Sequence, residues 1–157
     1  HDVNSYAYQL GIRFNYEEWN VATPGNVTDT SFTYYFPMFK YGNDFVCFTN
    51  QVCYEVSKEQ FYQMIISNVQ EDPNLAHRFT SLDVNVLQAS EELYNYITII
   101  APSLSYVQKV TAYTNIENGL GIFGSRTTSG INSIGLNGQT SDSLRLGHFT
   151  YQLNFQP

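Results

Sequence analysis

Residues 6 to 16 constrain the fold most tightly. Tyr6, Tyr8, Leu10, Ile12, Phe14 and Tyr16 occupy every second position, and Ala7, Gln9, Gly11, Arg13 and Asn15 fill the gaps. Successive side chains of a strand point to opposite faces, so this run predicts a long half-buried β-strand. Such a strand needs partners, and several later segments qualify. After a polar loop from Asn20 to Thr30, with Pro24-Gly25 as its turn signal, Ser31 to Phe36 is again β-rich. Ser81 to Gln88 alternates, with Leu82, Val84 and Val86 inward and Asp83, Asn85 and Leu87 opposite. Val107 to Ile116, Leu120 to Arg126 and Ile131 to Leu136 are short strand candidates. Leu144 to Phe155 predicts a last strand whose Phe149, Tyr151, Leu153 and Phe155 share a face, with Gly147 as a bulge.

Two segments change period. Ser57 is a good N-cap, and Gln60 three positions on completes a capping box, with Val56 and Phe61 placed for a hydrophobic staple. Phe61, Ile65 and Val69 then form a helical stripe with Met64 beside it, ending near Asp72-Pro73. A second helix starts after Ser90. Glu91 and Glu92 sit in its first turn, Leu93, Tyr96, Ile97 and Ile100 make its apolar face, and Pro102 ends it. Residues 1–157 therefore predict a single, mainly β (α+β) domain: an antiparallel β-sandwich or sheet with about two short helices packed on it.

Composition narrows the function. Charged residues make up 13% of the chain and aromatics 16%, with 13 Tyr, 11 Phe and one Trp, which suits half-exposed strand faces and contact surfaces. The net charge of −7, with seven scattered basic residues, argues against a nucleic-acid partner and against an anionic membrane surface. No apolar run approaches the ~18 residues needed to span a bilayer. The opening His1-Asp2-Val3 carries no signal peptide and no starting Met, so the chain reads as a mature product or fragment, with any secretion signal or anchor upstream.

Few residues carry chemistry in a recognisable pattern. Cys47 and Cys53 flank the polar turn Thr49-Asn50-Gln51 and are a candidate disulfide; the alternative is two buried thiols acting as small hydrophobes. His1, His77 and His148 stand at no metal-like spacing from them, so no metal site is expected. Gly119-Leu120-Gly121-Ile122-Phe123-Gly124 matches the dinucleotide-binding spacing of glycines. The residues that follow, Ser125 to Gly130, are poor helix material, so no helix N-terminus would face a pyrophosphate. The expectation is a tight turn at Asn118-Gly119, structural roles for Leu120, Ile122 and Phe123, and no cofactor. Glu17-Glu18, Glu71-Asp72 and Glu91-Glu92 read as solvated faces and helix starts. His77 beside Arg78 reads as a surface or capping residue, and His148 as pointing away from the aromatic face of the last strand. With no serine elbow and no basic surroundings for either thiol, no catalytic residue is expected. Trp19 beside Tyr16 reads as a core or rim anchor, or as a sugar-stacking residue. Asn26-Val27-Thr28 is a glycosylation sequon, and Asp142-Ser143-Leu144 resembles the short O-glycosylation motif of exported Bacteroidetes proteins, making Ser143 a candidate.

Several stretches together resemble one family. They are Ser57 to Tyr62 through Leu82 to Val86, Ser90 to Ile97, and Tyr113-Thr114-Asn115-Ile116-Glu117-Asn118-Gly119-Leu120-Gly121-Ile122-Phe123-Gly124-Ser125-Arg126. Their order and spacing are similar to the C-terminal part of a Bacteroidetes cell-envelope lipoprotein family of unknown function, often encoded near TonB-dependent receptors. The resemblance implies the C-terminal domain of a longer protein, exported to the outer membrane and lipid-anchored through an upstream Cys. It offers no catalytic residues. The functional expectation is a non-catalytic binding or assembly module docking on a membrane protein such as a TonB-dependent receptor. The alternative is a glycan-binding or glycan-degrading surface domain.

Overall fold

The computed structural model describes residues 6–40, 46–48, 51–100, 114–119 and 121–157. The alternating run forms β1 (Ala7–Asn20), with Tyr8, Leu10, Ile12, Phe14 and Tyr16 all buried. It turns through an Asn20 Oδ1 acceptor for the Ala22 N–H (2.8 Å) into β2 (Val27–Tyr35). The two pair antiparallel from Gly11↔Tyr35 to Trp19↔Val27. β2 thus starts earlier than the polar composition of 27–30 suggested, because pairing along β1 overrides local preference. β3 (Phe39–Lys40) also pairs with β1, at Tyr8↔Phe39, one residue out of the β2 register. Phe36-Pro37-Met38 absorbs that extra residue, and Phe36 N–H still donates to the Leu10 carbonyl (2.9 Å).

β4 (Val46–Phe48) and β5 (Gln51–Val52) pair antiparallel as a separate two-stranded ribbon. After α1 (Lys58–Ile66) come β6 (Leu75–Ala89), α2 (Glu91–Ile100), β7 (Arg126–Ile134) and α3 (Gly138–Leu146). The main sheet has the order β2-β1-β6-β7, with β3 also on β1. The protein is mainly β, and among the described residues an open antiparallel sheet of five strands carries three helices packed on it.

Contacts divide the chain into two compact units. One comprises residues 11–35, 55–85 and 130–157. Its core is aromatic: Phe14 meets Phe32 (5.5 Å between centroids), Phe79 (5.3 Å) and Phe155 (6.0 Å). The Ser57 capping box forms in full, and α1 buries Tyr62, Met64 and Ile65. Phe79 shares the Phe14 face, whereas Ser81 and Asp83 bond Asn15 on the other face. The alternation of β6 therefore slips by one residue near Thr80, which lets Leu82 point inward.

The expected last strand, 144 to 155, is absent. Asn137 caps α3 by accepting the Thr140 N–H (2.8 Å), and Gly147 is its C-cap rather than a bulge. A short 3-10 turn, Tyr151–Leu153, follows. Leu144, Leu153 and Phe155 are buried, while Phe149 and Tyr151 are exposed, so the apparent period of two marked no strand face. The Thr150 hydroxyl ties the turn to the helix end through the Leu144 carbonyl (2.7 Å).

The other unit comprises residues 1–10, 36–54 and 86–129. Tyr8, Phe39 and Tyr54 stack in sequence (5.8 and 5.2 Å), and Phe36 joins Tyr54 (5.5 Å). Lys40 Nζ lies about 5 Å from the ring centroids of both Tyr6 and Tyr94, and donates to the Tyr6 hydroxyl (3.0 Å). That hydrogen bond holds the ammonium above its ordinary pKa. Residues 121–125 do not form the expected strand, which begins only at Arg126. Of the strand expected over 107–116, residues 107–113 lie outside the described residues and 114–116 are irregular. Leu120 also lies outside the described residues.

Candidate functional site

The residues that could do chemistry are mostly engaged in holding the fold. Glu17 and Glu18 are neighbours on β1 and so project to opposite faces. Glu17 accepts from Arg78, whose guanidinium also stands 5.9 Å from the Trp19 ring. Glu18 accepts at 3.1 Å from Nε2 of His77. No carboxylate pair therefore faces a common cleft here. Asp72 Oδ1 accepts from the Asn74 N–H (2.8 Å) in the turn before β6, and Glu92 bonds its own N–H and Ser90 at the start of α2, which lowers its pKa.

His77 corrects the surface assignment. It is fully buried in β6 between Tyr16 and Phe155, with Nδ1 2.5 Å from the Leu153 carbonyl oxygen. Its backbone N–H donates to Asn154 (3.2 Å), and its carbonyl accepts from Gln156 (2.7 Å). Burial, and then the Glu18 carboxylate, raise the pKa of Tyr16 beside it. His148 is exposed after α3, against Phe149 (5.6 Å), rather than on a strand. Among the described residues no group of three or more His, Cys, Asp or Glu could hold a metal. Cys53 is half-buried and disulfide-bonded; the side chain of Cys47 lies outside the described residues. Ser143 is half-buried on α3, its carbonyl accepting from Gly147 (2.9 Å) and Thr150 (3.2 Å). Asn26 is exposed in the turn before β2.

The outward face of β1 carries Arg13, Asn15, Glu17 and Trp19 at alternate positions. Arg13 donates to Ser31 (3.0 Å), and Asn15 to Ser81 and Asp83 (3.1 Å each). Asp83 also accepts the Ser133 N–H (2.9 Å). That bond first, then the one from Asn15, lowers the pKa of the Asp83 carboxyl. An open cleft of about 380 Å³ is lined by Ser57, Lys58, Phe61, Tyr62, Gln139 and Ser143, among others. In the second unit an open groove of about 400 Å³ is lined by Met38, Leu87, Leu93, Ile97 and Arg126 with Gln9 and Gly124.

Large apolar side chains stand out from the surface elsewhere. β2 and β7 are the outer strands of the sheet, with one charged residue each, Asp29 and Arg126. Tyr35 on β2 is 61% exposed and Ile131 on β7 67%. Phe123 is 85% exposed, although the sequence pattern suggested a structural ring. The glycine-rich segment that holds it does form the expected turn: Asn118 takes a φ of 57°, and Gly119 N–H donates to the Ile116 carbonyl (3.4 Å). No helix follows Gly124 to complete a dinucleotide site. Sequence reasoning missed the clamp of Asn115 on Phe123; the signal was a Thr-Asn pair ahead of the Asn118-Gly119 turn.

No curated protein and no solved structure matches the chain. A family model described as a domain of unknown function, DUF4249, matches residues 3–130, well over half of the chain, and this protein belongs to the DUF4249 family.

Proposed function

We propose that this domain is a non-catalytic docking module of a lipid-anchored bacterial outer-membrane protein, contacting a membrane protein partner such as a TonB-dependent receptor. The observation that carries the reading is the exposure of Tyr35 and Ile131 on outer strands with a single charge each. Natural sheets guard such edges with charges and prolines, and an edge left plain is suited to pairing with another chain. The tyrosine-rich, charge-poor composition is that of an interface core. Envelope, anchor and receptor come from the resemblance of the 57–97 and 113–126 stretches to the lipoprotein family. A specific contact of this kind buries upwards of ~1,000 Å² in total.

The test is extraction of the full-length protein from its own membrane in mild detergent, with the mass of the extracted species measured. The expected species is larger than the protein alone, and Tyr35→Ala and Ile131→Ala shift it towards the free protein without changing the unfolding temperature. A free monomer that turns over a glycan would refute the docking reading. The glycan reading has one observation in its favour, the half-buried Trp19 at the end of the polar row on β1. The Arg78 guanidinium beside that ring competes with a stacking sugar.

A further inference from the structure

We infer that Glu18 holds His77 as a doubly protonated imidazolium, and that this ring is a proton-dependent latch closing residues 153–156 over β6. Both ring nitrogens meet oxygens. Nδ1 lies 2.5 Å from the Leu153 carbonyl oxygen, which has no proton to give, so this nitrogen is the donor. Nε2 lies 3.1 Å from Glu18 Oε2. A neutral imidazole has one N–H, already committed to Leu153, and would set a bare lone pair against the carboxylate. A second proton on Nε2 turns that repulsion into a charge-assisted hydrogen bond. The proton resides on the ring because a carboxyl is the stronger acid of the two. His77 is fully buried, whereas the Glu18 side chain is 28% exposed. The carboxylate thus gives the proton a route to solvent and lowers the cost of burying the pair.

The same residue ties the terminal segment down along its backbone. His77 N–H donates to the Asn154 carbonyl (3.2 Å), and Gln156 N–H donates to the His77 carbonyl (2.7 Å). The Phe155 ring lies 5.4 Å from the imidazole, and the Asn154 amide donates to the Leu75 carbonyl (2.9 Å). Opening of this segment puts the ring in water, where a histidine gives up its second proton near pH ~6.5. The closed latch therefore binds a proton that the open one releases, and closure weakens as pH rises. Few other groups around the ring titrate. Tyr16 on β1 faces it, and burial, then the Glu18 carboxylate, keep that hydroxyl neutral beyond its ordinary range. Residues 153–156 carry no titratable side chain. Arg78, next on β6, is engaged with Glu17.

The experiment is NMR of the isotope-labelled imidazole nitrogens in the full-length protein and in Glu18→Gln, with amide exchange followed against pH in both. In the wild type at neutral pH, both nitrogens of His77 should show the protonated shift. In Glu18→Gln the new amide can donate to Nε2, so a neutral ring suffices and Nε2 should show the unprotonated shift. Protection of the Gln156 N–H, corrected for chemical exchange, should fall about threefold to tenfold per pH unit above neutrality in the wild type, tenfold being the limit for one proton. It should stay level in Glu18→Gln. The Val69 N–H, bonded to the Ile65 carbonyl (2.9 Å), is the reference and should not follow Gln156. An unprotonated Nε2 in the folded wild type at neutral pH would overturn the latch, whatever the variant does. So would the same pH dependence of Gln156 in both proteins, or a loss at Val69 in step with it.

Discussion

His77 shows how much one buried residue can join. Its ring nitrogens meet a carbonyl from residue 153 and a carboxylate from residue 18, separations of 76 and 59 positions along the chain. Nothing local marks such a residue, which is why a His-Arg pair after a helix read as surface. Replacing it with Leu would keep the apolar packing but strand the Leu153 carbonyl and deprive Glu18 of its donor. The expected loss is about 3 kcal/mol in chemical denaturation. Asp83 lends itself to a pH test. Its carboxyl is held below the ordinary range by the Ser133 N–H and the Asn15 amide. The folded state therefore binds the proton more weakly than the unfolded state. The resulting stability is present above the ordinary carboxylate range and is lost as pH falls through the lowered value. Asp83→Asn should be less stable than wild type at neutral pH, and the gap should close in acid. Denaturation midpoints across that range check it.

At the scale of elements, what could be read from sequence depended on how local the cause was. The β1 alternation and the Ser57-Gln60 cap act within a few residues, and both formed as expected. The 144–155 segment misled because its apolar spacing fits a strand, whereas the deciding features were the Asn137 cap and the Thr150 bonds to the end of α3. The candidate site was less legible still. Exposure of Phe123 depends on how a loop is closed, and hydrophobicity alone favoured an interior ring. Gly130 gives a test of the β6–β7 pairing. A Cβ there would lie 2.2 Å from Asn85 Oδ1 and 2.7 Å from the Val84 carbonyl oxygen. The amide can swing away, but the backbone oxygen cannot without moving β6. Gly130→Ala should cost about 2 kcal/mol. It should also weaken amide-exchange protection along β7 more than along β2.

At the scale of the molecule, the family match and the core have different limits. The match ends at residue 130, yet Leu144, Thr150, Leu153 and Phe155 beyond it are buried. A fragment ending at residue 130 would expose Phe14, His77 and Tyr16, which pack against Phe155. It should show no cooperative unfolding transition, whereas the full 157 residues should show one; calorimetry distinguishes the two.

The backbone bridge between His77 and Phe155 also sets a schedule. While a ribosome still holds residues 150–156, β6 lacks the partner that closes over its buried histidine. Such distant pairings form late and slowly. The cluster of Phe14, Tyr16 and His77 therefore gains the Phe155 ring only once the chain through residue 156 is free to fold back.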